Sequence, residues 1–390
     1  MDNHMKEYKL CTRGIWDTTV PGITFDENGA SNYAIMFDKL CEAYPKGEKG
    51  KLQWENIVDK IKENGKGKKY DCIIGVSGGT DSSYLMYVCK KEHGLRPLAV
   101  NLDNGWSSEI AVQNIKKVTK ALDIDLETYV IDYEEVKGVL RAYIKASLPW
   151  IDGPTDNAID AVLFKVAKRE GIKFIFNGSD FRSEGKQPSE WTYTDAKQML
   201  FIVKKYEQIA LKTYPYQKLF SLINSSIVKG IKVYRPFYYI SYNKKAAQQF
   251  LIKNYSWEYY GGHHHENIFT KFAIAYWMPK KFNIDKRIIT LSAQVLSGEI
   301  TRTEALDSIK KSPYDSEQME RDKEFVIKKL DLSKEEFNRL WKQENNFYKN
   351  YPSYMPILNK YFKFSKSVLG FIFPFIPSIV AEKQNRQPIK

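Results

Sequence analysis

Cysteine is scarce in this chain: its 390 residues include only 4, which are too scattered to form a disulfide scaffold. The N-terminal segment MDNHMKEYKL lacks the apolar core of a secretion signal. The longest apolar stretch, residues 368–381, contains Pro374 and Pro377 and is shorter than the roughly 20 helical residues that cross a bilayer. No internal repeat or low-complexity tract is visible. These absences exclude a disulfide-rich secreted domain and favour a cytoplasmic location with reduced thiols.

Charge and apolar composition are those of a folded, basic protein. Lys and Arg number 60 against 47 Asp and Glu, a formal net charge of +13, but the basic residues form no concentrated run. A basic surface attracts nucleic acid, anionic membranes and phosphorylated substrates, whereas the dispersed pattern favours an ordinary basic enzyme. Hydrophobic residues at 43% and aromatic residues at 14% exclude a disordered chain, and the length suits two or three domains.

Residue patterns divide the chain into three parts. Residues 1–66 form a turn-rich N-terminal module with a linker helix, residues 67–260 alternate strands and helices, and residues 261–390 are helical with a basic, apolar tail. Buried strands are predicted over 72–76, 97–103, 126–132 and 173–179, and one more within 232–241. Helices are predicted over 82–93, 110–123 and 158–171. This alternation is typical of an α/β fold with a Rossmann-like, doubly wound parallel sheet.

The most informative segment is the loop Ser77-Gly78-Gly79-Thr80-Asp81-Ser82, which leaves the first strand and opens a helix. Glycines allow successive backbone N–H groups to converge on an anion, and the helix N-terminus adds its dipole. Serine hydroxyls donate to phosphate oxygens, and Asp81 offers a carboxylate, a ligand that Mg²⁺ prefers. The loop is neither a Walker A sequence nor a GxGxxG fingerprint. It predicts a phosphate site of another class, and the plainer alternative is a capped strand-to-helix turn.

Further residues follow other predicted strands. Asp103 and Asn104 come at the end of the second strand, and Gly178 and Glu184 follow the fourth. The carboxyl ends of strands line the ligand crevice of an open α/β sheet. We therefore expect these residues at that crevice, with a plain Asn-Gly turn and loop capping as the alternatives.

The SGGTDS segment resembles the signature of the PP-loop ATP pyrophosphatases, a superfamily that includes GMP synthetase, NAD synthetase and tRNA-thiolating enzymes. The resemblance implies that ATP is cleaved between its α and β phosphates and that the loop holds the departing pyrophosphate. It implies catalytic roles for Ser77 and Asp81, with Asp81 as a ligand of the Mg²⁺ that accompanies ATP. The nucleotide ligands that it implies are the loop residues 77–82 together with Asp103, Asn104 and Gly178.

Other segments narrow this resemblance. They include LDNGWSSEIAVQNI (102–115), GPTDNAI (153–159), FNGSDFRSEG (176–185) and WEYYGGHHHENIFTKF (257–272). In the same order, they are similar to segments of the N-acetyl sugar amidotransferases of bacterial surface-polysaccharide biosynthesis, such as that of the O-antigen of lipopolysaccharide. The resemblance implies conversion of a sugar acetamido group into an acetamidino group. An O-adenylated intermediate reacts with ammonia, and AMP and pyrophosphate are released.

The same resemblance implies ligands and partners. The implied small molecules are ATP, Mg²⁺ and a nucleotide-activated N-acetylated sugar. Because ammonia is mostly protonated at neutral pH, a glutaminase subunit and a cyclase-like barrel subunit are implied as its source. None of the four cysteines sits in an obvious nucleophile elbow, so no glutaminase site is recognisable in this chain. Nucleic acid is not an expected partner.

Family motifs also imply substrate ligands, with His264 as a catalytic residue as well. The implied substrate ligands are Thr155, Asp156, Glu184, Gly262, His264, Glu266, Arg287 and Arg302. Asn157 stands where the family has histidine. Alternatives are a surface turn or metal site for the histidine cluster 263–265 and structural ion pairs for the two arginines. Thr301 is predicted to cap a helix, with Glu304 completing a capping box.

The N-terminal module departs from the family pattern. Where that pattern has two Cys-x-x-Cys pairs suited to a structural zinc ion, this chain has Cys11, Gly14, Ser31 and Ala34. Glycine, serine and alanine do not replace thiolates, so no zinc is predicted. We expect the module to persist through packing on the main domain.

Two other functions stay open at this point. A tRNA-modifying, thiolating PP-loop enzyme would suit the net charge of +13, although Cys72 and Cys89 fall in predicted core elements. A subunit that binds ATP without turnover would suit the lost zinc ligands. The tail beyond residue 360 is outside the resemblance; self-packing or partner docking is favoured there over membrane contact, because prolines interrupt any amphipathic helix.

Overall fold

The computed structural model describes residues 7–262 and 265–364, without the side chains of 361–364. The expectations for His264 and for the C-terminal tail lie outside this part of the chain. Five strands form one parallel sheet in the order β3-β2-β1-β4-β5. They are β1 (Cys72–Gly75), β2 (Pro97–Asp103), β3 (Leu126–Val130), β4 (Phe174–Phe176) and β5 (Lys232–Tyr234). This arrangement confirms the predicted α/β, doubly wound fold.

Helices surround the sheet and make up most of the C-terminal region. The first nine are α1 (Asn32–Ala43), α2 (Gly47–Gly65), α3 (Thr80–Tyr87), α4 (Glu109–Leu122), α5 (Tyr133–Lys145), α6 (Gly153–Arg169), α7 (Phe181–Glu184), α8 (Ser189–Thr192) and α9 (Ala196–Tyr206). The next nine are α10 (Leu219–Ile223), α11 (Lys244–Tyr255), α12 (Ile268–Phe272), α13 (Met278–Phe282), α14 (Arg287–Leu296), α15 (Arg302–Lys310), α16 (Ser316–Lys329), α17 (Lys334–Trp341) and α18 (Met355–Phe364). Segments of π-helix continue three of them, over Val88–Glu92, Asn224–Val228 and Ala273–Trp277.

The central strand β1 is buried on both faces of the sheet, because its successive side chains point in opposite directions and each face is covered by helices. Ile74 of β1 packs with residues of α2, α3, α4 and α11. Ile73 packs on the other face, chiefly with α6. Both residues are fully buried. The helical layers therefore hold the sheet from two sides and leave the carboxyl ends of its strands to form a crevice.

Several predicted boundaries differ from those in the structure, and two elements differ most. The helix predicted from residue 158 begins at Gly153, because Pro154 is compatible with a first helical turn. The fifth strand ends at Tyr234, and a 3-10 turn over Pro236–Tyr238 replaces the rest of the predicted run, because proline lacks the N–H that a ladder needs. The capping box of Thr301 and Glu304 is present as predicted.

The N-terminal module packs on the C-terminal helices. The Ser31 backbone N–H donates to Cys11 Sγ at 3.2 Å, and the Ala34 N–H donates to Ser31 Oγ at the same distance. A Cβ on Gly14 would lie 2.6 Å from the Trp16 ring and 3.1 Å from Ser292 Cβ. Close packing and a helix cap thus occupy the positions at which the family pattern has thiolates.

We expect Gly14→Ala to lower the free energy of unfolding by about 1–3 kcal/mol, because the added methyl group overpacks this contact. Urea denaturation measures the change. Gly67→Ala is the control: its Cβ meets nothing within 4 Å, although its φ of +75° adds left-handed strain. Equal losses in the two variants would show that the contact with Trp16 does not constrain position 14.

Candidate active site

The glycine-rich loop is held rigidly between β1 and α3. Gly78 has φ +79°, and a Cβ there would lie 2.1 Å from the carbonyl oxygen of Ala111. The Gly78 carbonyl accepts hydrogen bonds from Trp257 Nε1 at 3.1 Å and from Asn114 Nδ2 at 3.4 Å. Only glycine fits this backbone without strain.

Gly79 and Thr80 present the N-terminus of α3 to a small polar recess. A Cβ on Gly79 would lie 3.2 Å from both Ser77 Oγ and Tyr260 OH, and 3.4 Å from a Glu266 carboxylate oxygen. The Gly79 N–H donates to Ser77 Oγ at 3.3 Å, and the Thr80 N–H donates to Tyr260 OH at 3.4 Å. The two N–H groups stand at a helix start, where the helix dipole favours an anion, and in the structure they donate to hydroxyl groups.

Asp81 is positioned by two residues at the start of α11, Tyr242 just before the helix and Lys244 as its first residue. Tyr242 OH donates to one carboxylate oxygen, and Lys244 Nζ donates to the other at 2.8 Å. Burial alone lowers the pKa of Lys244, but the carboxylates of Asp81 and Glu184 outweigh it and raise that pKa above its usual value. A fixed cation therefore stands beside the loop, together with a carboxylate suited to Mg²⁺.

The ends of β1 and β4 meet at this loop. A Cβ on Gly178, after β4, would lie 3.0 Å from the Asp81 carbonyl carbon and 3.2 Å from the Ser82 nitrogen. Asn104, after β2, donates from Nδ2 to Thr155 Oγ1 at 3.4 Å. The structure thus brings together residues from two of the predicted strand ends, whereas the contact of Asn104 is with α6.

A cavity of about 580 Å³ opens at the carboxyl ends of β4 and β5. Four of the implied substrate ligands line it, namely Asp156, Glu184, Gly262 and Arg287. Its charged lining carries both signs, with Asp160 and Asp285 on the acidic side and Lys186, Arg235 and Lys286 on the basic side. Ser179 lies in the wall directly after Gly178, so the cavity adjoins the glycine-rich loop.

The other implied substrate ligands lie elsewhere. Thr155 is buried behind the wall, where it accepts from Asn104. Glu266 faces Gly79 at the loop. Arg302 is not part of the cavity wall: it opens α15, and its guanidinium donates to the carbonyls of Cys11 and Gly14 at 3.0 Å each, so its contacts are structural.

Arg287 forms an ion pair and also lines the cavity. Its guanidinium donates to Asp285 at 2.7 Å and to the carbonyl oxygens of Ser308 and Ile309, while its side chain lines the cavity. The predicted ion pair is therefore present, and it fixes the arginine at the wall.

Sequence reasoning missed several basic residues of the site. Lys186 donates to Tyr238 OH at 2.5 Å, and Arg235 donates to Ser179 Oγ at 3.1 Å. Lys244, which reaches Asp81, is the third. None lies in a recognisable motif; the available signal was that Arg235 and Lys244 follow the last predicted strand, whose carboxyl end had to face the crevice.

Asp152, next to the cavity wall, is a buried carboxyl group with an altered pKa. Burial is the main cause that raises the pKa of Asp152 to about 7, and the nearby carboxylate of Asp156 is the second. Other groups act in the opposite direction: Thr270 donates a hydrogen bond to Asp152 Oδ2 at 2.5 Å, and the ammonium group of Lys286 favours the charged carboxylate. An unfolded aspartate loses its proton near pH 4. Stability contributed by the protonated group is therefore complete below about pH 4 and falls as the pH rises towards about 7.

We expect Asp152→Asn, which stays neutral, to gain stability relative to the unsubstituted protein between about pH 5 and about pH 8, by up to a few kcal/mol. Urea denaturation at both pH values measures the difference. Asp123→Asn is the matched control, because that side chain is fully exposed. A difference that does not change with pH would contradict the raised pKa.

Two cysteines are unsuited to nucleophilic chemistry. Cys72 and Cys89 are fully buried, and burial raises the pKa of each thiol. The thiolate is the reactive form, so both thiols are held in the inert one.

Two family models match separate parts of the chain. Residues 53–148, which contain the loop and β1 to β3, match the NAD synthase model. Residues 266–366, which contain α12 to α18, match the model described as LPS biosynthesis protein WbpG-like, C-terminal domain. The chain is therefore similar to NAD synthase, a PP-loop protein, over the loop and β1 to β3, and to WbpG-like proteins over its C-terminal helices.

Individual relatives are more distant. An uncharacterized protein of Methanocaldococcus jannaschii is 31% identical over 139 residues; the match covers 35% of this chain and 47%, about half, of that relative. The NH3-dependent NAD synthetase of Campylobacter jejuni, in complex with nitrate, is 18% identical with a TM-score of 0.26, over 34% of this chain and 58% of that one. The NMN synthetase of Francisella tularensis is 12% identical with a TM-score of 0.27, over 60% and 94%. A predicted subunit of tRNA methyltransferase from M. jannaschii is 12% identical with a TM-score of 0.28, over 47% and 75%.

Among the residues that the structure describes, none of the helices combines the length and the apolar character needed to cross a membrane.

Proposed function

We propose that this PP-loop protein with a WbpG-like C-terminal domain is an ATP-dependent, AMP-forming amidotransferase. Its substrate would be a nucleotide-activated N-acetylated sugar, and its product an acetamidino sugar for surface-polysaccharide biosynthesis. The observation that carries the proposal is the position of the large cavity, with charges of both signs, beside the glycine-rich loop to which we assign the pyrophosphate.

The reaction joins the two sites. The amide oxygen of the sugar attacks the α-phosphorus of ATP, and the bond to the bridging oxygen breaks as pyrophosphate leaves. Ammonia then adds its nitrogen to the imidate carbon, and AMP departs with the former amide oxygen. Adenylation thus converts an unreactive amide oxygen into a leaving group, and Mg²⁺ neutralises phosphate charge when it is bound.

The chain's own residues support the first step by binding charge. The N–H groups of Gly79 and Thr80 point to the recess at the start of α3. Lys244 stays protonated at neutral pH beside Asp81, so its ammonium group offsets negative charge on the departing phosphates. Asp81 supplies a carboxylate for Mg²⁺.

The cavity suits a sugar linked to phosphates. Arg235 and Lys186 offer donors to phosphate oxygens, and Asp156 and Glu184 offer acceptors to sugar hydroxyl groups. Ammonia from a glutaminase subunit and a cyclase-like barrel subunit is part of the proposal. Thiolation of tRNA is less well supported, since Cys72 and Cys89 are buried and inert.

The test is release of AMP and pyrophosphate from ATP and Mg²⁺, with ammonium and a panel of nucleotide-activated N-acetylated sugars. Release that depends on one sugar, with a product in which NH replaces O by mass, would support the proposal. Turnover that depends on RNA, or ATP cleavage indifferent to every sugar, would contradict it. The assay is repeated with the ammonia-supplying partners, because an inactive chain that they activate still satisfies the proposal.

A further inference from the structure

Four apolar side chains project from one short helical segment on the surface. The segment is α10 with its π-helical continuation, residues 219–228. Phe220 is 82% exposed and Val228 73%, and Ile223 and Ile227 are also exposed. We call these four residues the apolar patch. Large apolar side chains clustered on an outer helix face mark an interaction surface.

The inner face of the same segment is already satisfied. Leu222 packs against the core between the sheet and α6. Ser225 is buried and donates to the Ser221 carbonyl at 2.6 Å. The helix therefore already buries its inner face. Rotating the helix to bury the apolar patch would expose Leu222 instead.

The apolar patch lies in a basic stretch of the sequence and is flanked by a lysine at each end. Residues 208–257 contain eight basic residues and no acidic one, so this segment supplies more than half of the formal net charge of +13. Lys218 and Lys229 flank the apolar patch and are exposed. The surface therefore joins apolar insertion to cationic attraction, the two contributions that hold a peripheral protein at an anionic bilayer.

We propose that the apolar patch and its flanking lysines bind the surface of an anionic phospholipid membrane. Of the four patch residues only Phe220 offers a ring for stacking on nucleic-acid bases, and the other three are aliphatic. In a twofold dimer through this face, the same lysines would meet their own copies across the interface. A bilayer with anionic head groups accepts both the apolar and the cationic parts.

The experiment is co-sedimentation of the full chain with vesicles of phosphatidylcholine and phosphatidylglycerol, compared with vesicles of phosphatidylcholine alone, at low and high salt. We expect binding to the anionic vesicles that high salt weakens. Phe220→Glu with Val228→Glu should lower the partition coefficient by about tenfold or more. Lys218→Gln and Lys229→Gln should each lower it by roughly fivefold.

The matched control is Leu52→Glu with Val130→Glu, because these apolar side chains are also well exposed, at 60% and 64%, but lie outside the segment. This variant should bind as the unsubstituted chain does. Equal binding by the patch variant, failure to bind either vesicle, or a concentration-dependent dimer that the patch variant abolishes would each overturn the proposal. Melting curves show that the variants fold, and the readout does not depend on the proposed reaction.

Discussion

Asp81→Asn should abolish AMP formation from ATP, with a loss of at least about 100-fold in turnover. The carboxylate stands at the first turn of α3, where Lys244 donates to one oxygen and Tyr242 to the other. An amide keeps the shape but is a poor ligand for Mg²⁺ and no longer balances the lysine charge. Pyrophosphate and AMP release under the conditions of the sugar panel measures the effect.

Loss of stability must be separated from loss of chemistry in this variant. Removing the carboxylate takes a charge partner from partly buried Lys244, at a cost on the order of 1–3 kcal/mol. The double variant Asp81→Asn with Lys244→Met should recover that stability and remain inactive. Normal AMP release in either variant would refute a catalytic role for Asp81, and a chain without turnover to lose would point to a non-catalytic ATP-binding subunit.

Gly78→Ala should damage the loop itself. The added Cβ would lie 2.1 Å from the carbonyl oxygen of Ala111, and the backbone at φ +79° disfavours any side chain. Because α4 holds that carbonyl, we expect a loss of several kcal/mol, on the order of 2–4, in the free energy of unfolding. Calorimetry or urea denaturation measures it, and ATP binding should fail as well.

Gly79→Ala separates folding from binding. Its Cβ would enter the recess 3.2 Å from Ser77 Oγ and Tyr260 OH, without positive φ. We expect near-normal stability and strongly weakened ATP binding, measured by titration calorimetry. If Gly79→Ala bound ATP normally, the recess would not be the pyrophosphate site.

Local patterns predicted the scaffold of this site well. The order of apolar runs and glycine breaks gave the parallel sheet, and the glycine-rich loop lies between β1 and α3 as expected. Residues at strand ends converge because the carboxyl ends of parallel strands lie at the same edge of the sheet. Gly178 therefore packs against the backbone of Asp81. These are consequences of spacing along a short stretch of chain.

Contacts between distant segments were not predictable in the same way. Lys244 is 163 residues from Asp81 in the sequence, and the residues next to Lys244 form no pattern that indicates this ion pair. The capping box at Thr301 depends on adjacent residues and was predictable, whereas the contacts of Arg302 with Cys11 and Gly14 depend on how α15 packs. Single-sequence periodicity carries no information about such partners.

Contacts between the three parts of the chain should make the protein unfold as one unit. Ser107, near the end of β2, pairs with Asn267 just before α12, and Ile15 donates to Ser292 at 2.9 Å. Residues from the N-terminal module, α5, α9 and α16 share one hydrophobic core. Melting should therefore be a single cooperative transition, in which nucleotide bound at the loop also protects the distant module at Trp16 against unfolding.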